Sequence, residues 1–71
     1  MRHPMRAVKE LDCVVLTTDL PGNRIAAGDV GTVVHVHGGE KAFEVEFADQ
    51  DGRTIALVTL ACTQIEPALN R

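Results

Sequence analysis

Hydrophobic and polar positions alternate most cleanly over residues 42–47. Phe43, Val45 and Phe47 share one side there, and Glu44 and Glu46 the other. Successive strand side chains point to opposite faces, so this stretch predicts a half-buried strand with a wet outer face. Residues 12–17 (DCVVLT) and 30–37 (VGTVVHVH) predict two earlier strands. Residues 54–60 (TIALVTL) predict a fourth that does not alternate with polar residues: Ile55 and Leu57 lie on one face, Ala56, Val58 and Leu60 on the other. Residues 60–63 predict a single 3₁₀ turn, because the chain must reverse there quickly. Residues 64–66 then predict a short fifth strand, stopped by Pro67, which has no N–H to continue a ladder.

The segments between these strands carry turn chemistry. Residues 18–29 (TDLPGNRIAAGD) have Pro21-Gly22-Asn23 at their tip, where proline pre-sets φ and Gly and Asn tolerate positive φ. Gly28 suits the turn that feeds the second strand, and Gly31 permits a bend or a close backbone approach. Gly38-Gly39 and Asp51-Gly52 are hairpin dipeptides. No stretch of helix length shows helical periodicity. Nine valines, three isoleucines and six threonines favour a pleated surface. The chain therefore reads as all-β.

Five short strands in so short a chain cannot bury a core as a flat sheet. Coiling into a small, partly open barrel covers one face and removes most of the exposed edge. The predicted core is Val14, Leu16, Val30, Val34, Val36, Phe43, Val45, Phe47, Val58, Leu60 and Ile65. Val33 faces out with His35 and His37 under strict alternation, or in if a bulge near Gly31 turns it.

Charge narrows the function. Residues 1–9 carry Arg2, Arg6 and Lys9 and no acid, whereas residues 10–71 carry four bases against ten acids. A nucleic-acid binder needs a basic face to neutralise phosphates, and only the short amino-terminal arm, residues 1–8, offers positive charge. That arm is expected to be flexible, ahead of a barrel over residues 9–67 and a short tail at 68–71. There is no Trp or Tyr, and Phe43 and Phe47 are committed to the core. Stacking platforms for single strands and grooves for proline-rich peptides both need exposed aromatics. No apolar run reaches the roughly 20 residues of a membrane span. Two cysteines without a Cys-x-x-Cys pair, and no signal-like apolar run, point to a reduced, cytoplasmic chain.

Several residues invite chemistry and are weighed against simpler roles. His35 and His37 can offer two metal ligands, but a site wants three or four, so they read as solvent-facing strand residues. Cys13 and Cys62 lack a base or positive neighbourhood and read as small, buried or half-buried side chains. Asp49, Asp51, Glu44 and Glu46 lack the spacing of a calcium loop and read as turn and outer-face charge. No catalytic residue, metal site or cofactor is assigned. In the long loop, Asp19, Leu20, Arg24, Ile25 and Asp29 either pin the loop to the barrel end or contact a partner. Ile55 and Leu57 are left facing out of a barrel with one interior. They mark either an interface between copies or ground covered by the chain's own tail.

The string Ala27-Gly28-Asp29-Val30-Gly31-Thr32-Val33-Val34 resembles the opening of SH3-like barrels of the KOW type. The ordered set Lys9-Glu10-Leu11-Asp12, Val14-Val15-Leu16-Thr17, Asp19-Leu20-Pro21, Gly28 to Val34, Phe43-Glu44-Val45-Glu46-Phe47 and Ala56-Leu57-Val58-Thr59-Leu60 is similar to a family of short bacterial proteins, domain of unknown function 4926. The resemblance implies a standalone bacterial SH3-like barrel and carries no catalytic motif. The expected protein is thus a non-enzymatic protein–protein interaction or assembly module. It self-associates or serves as the small acidic partner of a neighbouring gene's product. KOW-like nucleic-acid binding is the alternative.

Overall fold

One sheet of five antiparallel strands organises the computed structural model, which describes residues 8–68. The strands are β1 (Cys13–Leu16), β2 (Val30–Val36), β3 (Ala42–Ala48), β4 (Thr54–Ala61) and β5 (Ile65–Pro67). They pair in the order β4-β3-β2-β1-β5, so β4 and β5 are the edges. A 3₁₀ turn at Cys62–Gln64 precedes the last strand, beginning two residues later than the sequence predicts and ending one later. The Gln64 side chain sets its start: its Oε1 accepts the Ala61 N–H at 2.8 Å. This is the small SH3-like, all-β architecture expected, although the hydrogen-bonded ladder does not join β4 to β5 among the described residues.

Buried side chains from all five strands and the long loop meet in one core. Val14, Leu16, Val33, Phe43, Val45, Phe47, Leu60 and Ile65 belong to it, with Ile25 and Ala56 in addition. Val36 and Val58 are half-buried against it, as are Val8 and Leu20. Two predicted core residues are corrected: Val30 and Val34 are exposed, and Val33 takes the inward position at 0% exposure. The reason is a bulge. Val33 pairs with Val45 and His35 with Glu44, which leaves Val34 as the extra residue between them. An extra residue shifts every later side chain to the other face. Gly31 and Val33 therefore face in ahead of the bulge and Val36 after it. The bulge lies at Val34, not near Gly31.

Gly38-Gly39 does not make a two-residue hairpin. A 3₁₀ turn at Gly38–Glu40 joins β2 to β3, with Gly39 at φ 72° and the His37 N–H donating to the Ala42 carbonyl at 2.9 Å. The turn before β4 follows its sequence. Asp49 Oδ1 accepts the N–H groups of Asp51 and Arg53 at 2.9 and 3.0 Å, and Gly52 takes φ 84°. The predicted flexible arm lies outside the described residues up to Ala7; Val8, placed in that arm by the sequence, packs on the core. At the other end the Ala68 N–H donates to the Cys13 carbonyl at 3.0 Å, so the ladder runs past Pro67.

Candidate functional site

β4 carries the exposed apolar side chains that the interior cannot use. Ala56, Val58 and Leu60 stand opposite Phe47, Val45 and Phe43, on the core face. Leu57 stands opposite Glu46 on the outer face and is 59% exposed. Ile55 is 48% exposed for a second reason. Phe47 pairs with Ala56 but Ala48 with Thr54, so Ile55 falls between them without a partner. This bulge is not legible in the residue pattern. It sets Ile55 on the rim of a shallow depression shared with Ile25, Asp29, Val30, Phe47 and Ala48. Val30, 54% exposed, lines the same depression as Ile55, with Asp29 beside it. The Thr54 hydroxyl donates to the Glu46 carboxylate and ties the start of β4 to β3.

The long loop is held mostly by the residues proposed as partner contacts. Ile25 is buried at 3% exposure, so it is a core residue and not an exposed contact. Leu20 exchanges backbone hydrogen bonds with Ile25 at 2.9 and 3.3 Å. Asp19 Oδ1 accepts the Ala27 N–H at 2.9 Å, and Asp29 Oδ2 accepts the Ala26 N–H at 3.0 Å. Gly28 takes φ 99°, and its N–H donates to the Leu16 carbonyl at 2.8 Å. Arg24, exposed at φ 64°, closes the 3₁₀ turn Pro21–Asn23. All five residues thus have work inside the loop, because a long connection must satisfy its own backbone groups.

At the opposite end of β2, His35 and His37 point the same way, with ring centroids 4.7 Å apart at 79°. Each faces a carboxylate: His35 Nδ1 stands 4.0 Å from Glu10 Oε2, and His37 Nε2 stands 3.6 Å from Glu44 Oε2. These are exposed, edge-on contacts. Among the described residues no group of three or more His, Cys, Asp or Glu is arranged to hold a metal ion. Cys13 and Cys62 are both exposed, which corrects the buried or half-buried placement. Val14 and Leu16 take the inward positions of β1, leaving Cys13 on the outer face. Leu11 is a further exposed apolar residue, 78% accessible at φ 73°, and its N–H donates to the Val33 carbonyl at 2.7 Å.

Charge is distributed unevenly. Among the described residues no strand contains Lys or Arg: Lys9 precedes β1, and Arg24, Lys41 and Arg53 lie in connections. Glu44, Glu46 and Glu66 are the acids of the sheet, and β4 has no charged residue at all. No helix among the described residues is long and apolar enough to cross a membrane.

These features define a small five-stranded all-β module with an uncharged, apolar edge strand. The chain belongs to the family described as Domain of unknown function (DUF4926), whose model matches residues 10–67. No curated protein and no solved structure matches it. The family description carries no activity, so function rests on the surface just described.

Proposed function

We propose that the protein is a non-enzymatic interaction and assembly module, bacterial and cytoplasmic, that self-associates through β4. The observation that carries this reading is the pair Ile55 and Leu57, 48% and 59% exposed on a strand without charge. Exposed apolar ground of this kind usually marks an interface, and a two-fold dimer is the commonest closed assembly. Burying both side chains contributes roughly 1.5–3 kcal/mol each per subunit, before the entropy of association is subtracted. In a hetero-assembly the same surface would meet the product of a neighbouring gene. Nucleic-acid binding is disfavoured, because the basic residues among the described ones lie scattered outside the strands and Phe43 and Phe47 are buried.

Sedimentation of the wild type and of Leu57→Asp tests the proposal. The wild type should dimerise at about 100 µM, where an association worth ~6–7 kcal/mol is well populated. The variant should remain folded and sediment as a monomer, since its carboxylate would be buried and unpaired only in the complex. A wild type that stays monomeric at that concentration overturns self-association.

A further inference from the structure

The two edges of the sheet are treated differently. β5 is three residues long, carries Glu66 and ends on Pro67. Short length, charge and proline are the devices by which proteins keep an edge from pairing. β4 is eight residues long and has neither charge nor proline. Its one protective feature is the bulge at Ile55, which leaves the stretch from Ala56 to Ala61 regular. β3 is the strand it pairs with, and among the described residues no other strand pairs with β4; only its last residue, Ala61, is engaged, by the 3₁₀ turn Cys62–Gln64 that follows. The 3₁₀ turn Pro21–Asn23 approaches β4 but exchanges no hydrogen bond with it.

We infer that the free edge of β4 pairs with β4 of a second copy, antiparallel about a two-fold axis at Leu57, joining two five-stranded sheets into one. The inference rests on the self-association reading and adds its geometry. Paired residues in a ladder must lie on the same face, so only registers that oppose residues of like orientation are allowed. The register centred on Leu57 sets Leu57 against its own copy and Ala56 against Val58. A shift toward the carboxyl end would oppose Leu57 to Thr59, and a shift the other way would oppose it to the bulged Ile55. A further shift would oppose Leu57 to Ala61, whose N–H is already taken by Gln64 Oε1 at 2.8 Å. The Leu57 register gives the exposed leucine its largest apolar partner in regular strand.

Charge favours a second copy as the occupant. The described residues carry far more acid than base, so most faces of the domain repel their own copy. Edge pairing through β4 brings two uncharged strands together. Glu44 and Glu46 on β3 then lie three inter-strand steps from β3 of the other copy, roughly 14 Å, beyond the ~8 Å screening length at physiological salt. A strongly basic partner strand would find no carboxylate on β4 to answer it.

Two measurements test this. Leu57→Cys, made with Cys13→Ser and Cys62→Ser, should form a disulfide-linked dimer on mild oxidation, because directly opposed residues bring their Cβ atoms within disulfide reach. Thr59→Cys in the same background should not, since its copy lies roughly 13 Å away along the ladder. Hydrogen exchange of the wild type should slow about tenfold or more at alternate β4 amides between 1 µM and 100 µM protein. A dimer without this protection, or one cross-linked by Thr59→Cys in preference to Leu57→Cys, overturns the edge pairing and leaves self-association standing. A monomer throughout overturns both. Because Leu57 and Thr59 are exposed, both variants are expected to fold, which circular dichroism checks directly.

Discussion

Gly31 lies directly against Phe47: a methyl group on Gly31 would stand 2.8 Å from Phe47 Cε2 and 2.6 Å from Val45 Cγ1. The Glu46 carbonyl oxygen, 3.0 Å away, closes the third side. Glycine is needed here for space, since its backbone is not at positive φ. It lets β2 close down onto Val45 and Phe47 of β3. Gly31→Ala should therefore cost about 1–3 kcal/mol by overpacking. Pairing it with Phe47→Leu should recover part of that loss. Chemical denaturation of the two variants measures both, and a Gly31→Ala protein as stable as wild type would contradict the close approach.

Val33 and Val34 offer a sharper contrast, since they are neighbours in sequence with opposite fates. Val33 is 0% exposed and Val34 is 38% exposed. Val33→Ala should cost about 1.5–3 kcal/mol through lost burial and the cavity left behind. Val34→Ala should change stability by no more than about 0.5 kcal/mol, as surface substitutions do. Equal losses at both positions in thermal or denaturant unfolding would place the bulge elsewhere.

The absence of Lys and Arg from the strands of the described residues bears on nucleic acids. Dissociation constants for RNA or DNA should be weaker than about 10⁻⁴ M at physiological salt, the weak end of non-specific binding. Fluorescence anisotropy with labelled single- and double-stranded oligonucleotides, across a salt series, checks this. A micromolar affinity that falls steeply with salt would instead support the KOW-like alternative.

Much of the architecture was legible from residue type and order alone. Alternation around Phe43, Val45 and Phe47 identified β3, and the β-branched runs identified β1, β2 and β4. The lack of any polar face on residues 54–60 pointed to exposed Ile55 and Leu57. Each of these rests on local physics: side-chain direction has period two along a strand, and one small interior has limited room. Tertiary structure decided the rest. Whether Val33 or Val34 enters the core depends on a bulge against β3, and so does the rim position of Ile55. Neither bulge leaves a mark in its own segment, because register belongs to the pair of strands and not to either alone. Ile25 became core for a similar reason: the loop folds back onto the core once Asp19, Leu20 and Asp29 have satisfied its backbone. The contrast between a guarded β5 and an open β4 also appears only when the strand order makes these two the edges.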